Sequence, residues 1–293
     1  MKLNNILVPT DFSKFSDKAV ESAFLIAAQY NAKITLLHSI LLFHEEGDNG
    51  LQLHEYSEYI KEKENDSRQL LKAHSDSAEE HGVKLETKVL RGFSAADSIL
   101  EFVKENPVDL VVMGTHGRTG LKKWVYGSVA EKVVRLSPVP VLTTHYFEKP
   151  FRIDKILVPV DFSDYSKNAV EYAKELANRF DAELVYLHSI YNEFHPSYFA
   201  GGAETLLSLD PKLKDRSMTR LKEFAGNKHK STCLILEGSA YHNIVDYADN
   251  NEIDLIVMAT RGLTGLDHYL IGSTTERVVR LAKTPVLTIE RTN

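Results

Sequence analysis

The sequence predicts an α/β fold built twice: two tandem domains, each a doubly wound, five-stranded parallel sheet of Rossmann-like form, paired within the chain as a pseudo-dimer. Three observations predict it. ILVPTDFS at residues 6–13 returns as ILVPVDFS at residues 156–163. The echo runs on through LLHSI and YLHSI, ending at Ile40 and Ile190, and through VDLVVMGTHGRTG from Val108 and IDLIVMATRGLTG from Ile253. Short runs of Val, Ile and Leu alternate with longer amphipathic stretches, the pattern of strand-helix units in a parallel sheet. A repeat of roughly 145 residues has the size of a domain, far above a solenoid repeat. The two domains are expected at 1–146 and 152–293.

In the first half, strands are expected at Ile6 to Thr10, Ile34 to Ile40, Leu85 to Leu90, Leu110 to Gly114 and Val141 to Thr144. A first helix after Ser16 places Ala19, Ala23, Ile26, Ala27 and Tyr30 on one stripe, which Ala169, Ala173, Leu176, Ala177 and Phe180 repeat. A longer helical pattern from Glu55 to His81 carries Tyr56, Tyr59, Ile60, Leu70 and Leu71, and Gly82 ends it as a C-terminal cap. The next helix begins at Ser94, which caps it, with Asp97 adding negative charge to the first turn. The last begins at Gly127. The connecting segment HYFEKPFRID, residues 145–154, is too short to hold the halves far apart. The edge beside the fifth strand is therefore the natural place for antiparallel pairing between them.

Bulk properties narrow the function. With a net charge of -6 and a pI near 6.1, the chain is not expected to bind nucleic acid through general backbone affinity. The single cysteine, Cys233, has no partner for an internal disulfide and reads as a small apolar strand residue, which favours a reducing, cytoplasmic setting. No leader-like segment follows MKLNN, and the apolar runs are short for a membrane span. Of the 12 histidines, His38 and His188 repeat in the second strand and read as core or edge residues; His44, His54, His74 and His81 are scattered. No metal-ligand spacing such as HExxH occurs. The run KEKEND from Lys61 reads as a solvated helix face.

The segment with chemistry in it follows the fourth strand: GTHGRTGLKKWVYGS. Gly114 and Gly117 are three apart, and nine residues separate Gly117 from Gly127, which Ser128 follows. Glycines let backbone amides approach an anion, and a helix starting at Gly127 points free N–H groups and its positive dipole end at it. Ser128 adds a hydroxyl donor. The segment lacks the GK[ST] of a Walker A loop, and no GxGxxG follows the first strand, which disfavours a dinucleotide. Asp11, after Pro9 and Thr10, lies at the same end of the sheet. Its carboxylate suits ribose hydroxyls or an adenine amino group, and it suits equally well a cap on the turn before Ser13 and Ser16. Trp124 reads as a lid over this region or a buried side chain.

Together these segments, with GSVAEKVVRLSPVPVL, resemble the universal stress protein family over nearly the whole chain. The resemblance implies an adenine-nucleotide-binding domain for ATP or AMP, often with Mg2+ or Mn2+ on the phosphates, that pairs through its fifth strand. By position it places Asp11 at the adenosine end, the backbone near Ser39 at the base, and Gly114, His116, Gly117, Gly127, Ser128 and Val129 at the phosphates, with Pro9, Thr10 and Arg118 beside them. The second-half counterparts are Asp161, Ser189, Ala259, Gly262, Gly272, Ser273 and Thr274. There ATRGLTGLDHYLIGS puts Ala259 at the first glycine. Arg118, Lys122 and Lys123 give the first loop three positive charges, whereas Arg261 and Asp267 cancel in the second. The first site is therefore expected to favour ATP, and the second to bind weakly, take a monophosphate, or stay empty.

A stress-response sensor or regulator that binds adenine nucleotide is the leading expectation. A slow ATPase or phosphoryl-transfer enzyme is an alternative, although no residue is identifiable that activates water or an acceptor. A nucleotide-free interaction scaffold is another. Protein partners are not identifiable from sequence, no membrane partner is expected, and further homodimerisation stays open.

Overall fold

The computed structural model describes residues 3–42, 53–115, 127–145, 150–190, 210–226, 230–262 and 271–290. The chain divides into two compact units, Met1–Arg152 and Ile153–Asn293. Unit 1 runs β1 (Asn5–Pro9), α1 (Lys14–Tyr30), β2 (Lys33–Leu41), α2 (Leu53–Lys72), α3 (Ser75–Glu80), β3 (Leu85–Gly92), α4 (Ala95–Glu105), β4 (Leu110–Gly114), α5 (Ser128–Leu136) and β5 (Val141–Thr144). Its strands are all parallel, in the order β3-β2-β1-β4-β5. The winding reverses between β1 and β4, which leaves a crevice at their carboxyl ends.

Unit 2 repeats the plan with β6 (Lys155–Pro159), α6 (Asp164–Phe180), β7 (Glu183–Ile190), α7 (Pro211–Ala225), β8 (Ser231–Glu237), α8 (Ala240–Asn250), β9 (Leu255–Ala259), α9 (Ser273–Leu281) and β10 (Val286–Ile289). Its parallel order is β8-β7-β6-β9-β10. Cys233 lies on β8 opposite Tyr186.

Apolar runs are buried because helices cover both faces of each sheet. Leu7, Val8, Val111 and Val112 of unit 1 are fully buried, as are Leu157, Val158, Ile256 and Val257 of unit 2. The small residues Ala19, Ala23 and Ala27 bring α1 close to the sheet, and all three have no exposed surface. In both units the first helix ends on a left-handed residue, Asn31 or Asp181, each with φ of 54°. No helix among the described residues is long and apolar enough to cross a membrane.

Two helices depart from the sequence pattern. α1 starts at Lys14, not after Ser16, because Ser13 is its cap and accepts the Ser16 N–H at 3.3 Å. The helical pattern from Glu55 to His81 is two helices, since α2 tightens at its end, where the N–H groups of Ala73 and His74 reach the carbonyls of Leu70 and Leu71. Gly82 then takes φ of +63°, as a terminating glycine should. Ser94 caps α4 by accepting the Asp97 N–H at 3.3 Å.

Candidate functional site

β1 delivers the chain to the crevice and a compact turn holds it there. The Asp11 Oδ1 accepts the Ser13 N–H at 3.1 Å, and the Thr10 Oγ1 accepts the Phe12 N–H at 3.0 Å while donating to the Ser16 Oγ at 3.0 Å. These bonds hold Phe12 at φ of 62°, a conformation costly for an aromatic residue. His38, half-buried on β2, fixes the turn from the other side. Its Nδ1 donates to the Thr10 carbonyl at 2.8 Å and its ring lies 4.5 Å from that of Phe12. Asp11 thus caps the turn.

β4 brings the second wall. The Thr115 N–H donates to the Thr144 carbonyl at 2.9 Å, and the Gly127 N–H donates to the Thr115 carbonyl at 2.9 Å. That bond sets Gly127 against Thr115, so α5 starts directly beside the end of β4. Gly127 is the cap of α5 and makes no side-chain cap hydrogen bond. The first-turn amides and the positive end of the helix dipole therefore face the crevice with no side chain of their own cap to satisfy them.

Between these walls lies a cavity of about 210 Å³. Pro9, Thr10, Asp11, Ser39, Gly114, Gly127, Ser128 and Val129, all expected from sequence, line it together. His116, Gly117 and Arg118 lie outside the described residues, as do Lys122, Lys123 and Trp124. Sequence reasoning did not name Ala95, Ile99 and Met113, which make the apolar part of the wall, and it placed His38 in the core or edge without seeing that it lines the cavity. Helical spacing marks Ile99 as inward-facing, but only the sheet order tells that α4 lies over this cavity.

Gly114 shows a second use for a glycine in this pattern. A Cβ there would lie 3.0 Å from the Phe15 carbonyl oxygen and 3.1 Å from its carbon, so the bare α-carbon lets the start of α1 approach β4. Ala259 carries a methyl at the corresponding end of β9 and is buried.

Unit 2 rebuilds the frame with other side chains. The N–H groups of Thr260 and Gly272 donate to the carbonyls of Ile289 and Thr260 at 3.0 and 2.7 Å, and Gly272 caps α9 without a side-chain bond. Ser273 is exposed and Thr274 half-buried in the first turn. Val160 replaces Thr10, and the Asp161 Oδ1 accepts both the N–H and the hydroxyl of Ser163, at 3.0 and 2.6 Å. The other Asp161 oxygen lies so close to the Gly262 α-carbon that any Cβ there would collide with it. Asp267 lies outside the described residues.

Charge is also arranged differently. Arg261 pairs with Glu290 at 3.3 Å. Burial raises the Glu290 pKa, and Arg261 offsets part of that rise. The His188 Nδ1 donates to the Val160 carbonyl at 2.7 Å; burial lowers its pKa, opposed by that bond and by Asp161. Phe162, at φ of 65°, touches the His188 ring and lies beneath the Arg220 guanidinium, 4.2 Å from its carbon.

The universal stress protein family model matches residues 2–145 and again residues 152–290. A universal stress protein of Methanocaldococcus jannaschii is 37% identical over 140 residues, covering 47% of this chain and 79% of that protein. The universal stress protein E homolog of Haemophilus influenzae is 26% identical over 303 residues, covering 95% of this chain and 94% of that one. Among solved structures, a universal stress protein from Archaeoglobus fulgidus superposes with a TM-score of 0.72 at 23% identity, over 100% of both chains. At that identity the superposition speaks to fold alone. The repeated match across both units establishes that the chain belongs to the universal stress protein family.

Proposed function

We propose that the chain is a stress-response sensor or regulator that binds adenine nucleotide, ATP or AMP, in the crevice of unit 1. One observation carries this: a single cavity runs from a carboxylate and a hydroxyl, Asp11 and Ser39, to the start of α5 at Gly127, Ser128 and Val129. The first end suits a nucleoside, with acceptors for ribose hydroxyls or a base amino group and Ile99 and Met113 as apolar wall. The far end suits phosphate, because first-turn amides and the helix dipole attract an anion. Among the described residues no group of three or more His, Cys, Asp or Glu could hold a metal ion. In this reading Mg2+ or Mn2+ would sit on the phosphates of the bound nucleotide.

The same reading gives unit 2 the weaker site. Arg261 is engaged by Glu290, so its charge is partly spent before an anion arrives. Asp161 is engaged by Ser163 and pressed against Gly262. Mass spectrometry of small molecules released from freshly purified full chain, with calorimetry of ATP and AMP, tests both parts. Adenine nucleotide in the released fraction and one strong site per chain are expected. Absence of bound nucleotide, with no heat at millimolar ATP, would sink the proposal in favour of a nucleotide-free scaffold.

A further inference from the structure

The two crevices differ in the direction of one hydrogen bond. In unit 1 the Ser98 Oγ donates to the Ser94 carbonyl at 3.1 Å, and Ser39 and Ser98 hydroxyls lie 3.1 Å apart. A carbonyl oxygen only accepts, so the one Ser98 proton is committed to Ser94. Between the two hydroxyls, Ser39 must then be the donor. Its proton is directed away from the cavity that it lines, and its lone pairs are what it offers a ligand. Gly92 makes room for this relay, because a Cβ at that position would collide with the Ser98 Oγ.

In unit 2, Ser189 holds the same register on β7 that Ser39 holds on β2, opposite Leu236 and Leu90 respectively. Its neighbour on the helix is Asn243, not a serine. The Asn243 Nδ2 donates to the Glu237 carbonyl at 3.3 Å and to the Ser189 Oγ at 3.1 Å. The Glu237 carbonyl fixes which end of the amide faces it, and both Nδ2 protons are used. Ser189 is thus an acceptor within the protein, and its own proton is left to donate.

We propose that Ser98 is a positioning residue that makes Ser39 a hydrogen-bond acceptor toward the ligand of unit 1, selecting a heterocycle that presents an amino N–H there, whereas Asn243 makes Ser189 a donor. This rests on the nucleotide reading of the cavity and adds its choice of base. A 6-amino purine satisfies Ser39, while a 6-oxo purine sets oxygen against oxygen. Discrimination of this kind is strong where a buried polar group would otherwise go unpaired.

The test is calorimetry on the full chain with ATP and its 6-oxo analogue, inosine triphosphate. Wild type is expected to prefer ATP by about tenfold. Ser98→Ala releases the Ser39 proton and should bring the ratio within about threefold, chiefly by tighter inosine triphosphate binding. Ser98→Asn imports the unit 2 arrangement and should favour the 6-oxo analogue. Ser39→Ala should weaken ATP and, by removing the opposed oxygen, bind the analogue at least as tightly as wild type does, and it keeps the test intact if a Ser98 variant misfolds. Equal wild-type affinities, or an unchanged ratio in folded Ser98→Ala or Ser39→Ala, would overturn the assignment of Ser98 while leaving the nucleotide reading in place. Failure of wild type to bind either nucleotide would overturn both.

Discussion

At the end of β1 in unit 1, Thr10 Oγ1 ties the turn to Ser16 and Phe12, and Asp11 accepts the Ser13 N–H. At the end of β6 in unit 2, Val160 supplies no hydroxyl, and Ser163 turns its own hydroxyl onto Asp161. The backbone outcome is the same, with Phe12 and Phe162 both left-handed at φ of 62° and 65°. The bonds to the aspartate differ: in unit 2 the carboxylate also accepts the Ser163 hydroxyl, so a residue repeated in both units holds its turn through a different set of contacts. Duplication has kept the frame and redistributed the polar contacts within it.

The largest expected break in this comparison is at the first glycine. Gly114→Ala sets a methyl 3.0 Å from the Phe15 carbonyl oxygen. Overpacking of this kind should destabilise unit 1 by about 1–3 kcal/mol. Ala259→Gly should cost unit 2 less, about 0.5–1 kcal/mol, through backbone entropy and a lost methyl. Hydrogen exchange resolved on peptides from each unit reads the two effects separately. A Gly114→Ala chain as protected as wild type would mean the α1 approach is not what demands glycine there.

How far the site was legible follows from this residue. The sequence spacing placed Gly114, Gly127 and Ser128 at a strand-to-helix crevice, because glycines and a helix start are local features. The packing role of Gly114 is not visible in the sequence, since the nearness of Phe15 depends on how closely alanines let α1 pack on the sheet. The parallel, doubly wound sheet was predictable from the β-α alternation, and β4 and β5 have the expected bounds. The break at Ala73 was not legible, because the apolar spacing continues across it. The opposed roles of Ser98 and Asn243 lay hidden for another reason: both follow a cap serine by four residues, and neither looks like more than a polar helix residue.

Asp161→Ala is the next test of the comparison. It removes the acceptor for two Ser163 donors in unit 2, and charge-assisted bonds of this sort make a loss of about 1–2 kcal/mol reasonable. Asp11→Ala should show itself mainly in nucleotide affinity, with a drop of about tenfold or more in calorimetry. If Asp161→Ala lowers total nucleotide binding as much as Asp11→Ala does, the division of labour between the aspartates is wrong.

Arg220→Ala addresses the second clamp on unit 2. The guanidinium lies over Phe162, with Phe224 edge-on at 5.7 Å, so α7 presses on the turn that presents Asp161. Arg220 is exposed, and a loss of about 0.5–1 kcal/mol is expected. Exchange should quicken at Phe162 and Ser163 without change at Phe12 and Ser13. Equal quickening in both turns would show that Arg220 acts on general stability instead.

The smallest effect is a pH dependence of unit 2 through His188. Burial is the main cause of the lowered His188 pKa, with Arg220 acting in the same direction, while the Val160 carbonyl and Asp161 oppose it. The folded state therefore binds fewer protons at this ring than the unfolded chain does, and stability rises with pH through the interval between the two values. Coming down from neutral pH, unit 2 should start to lose stability near the ordinary value of 6.5 and stop losing it below the lowered folded value. His188→Gln keeps a donor for the Val160 carbonyl and removes the titration. Denaturant midpoints for unit 2, read by its own exchange-protected peptides, should fall across this interval in wild type and fall less in the variant. Equal slopes would assign the acid sensitivity to other groups and leave His188 with the purely structural task of holding the Phe162 turn.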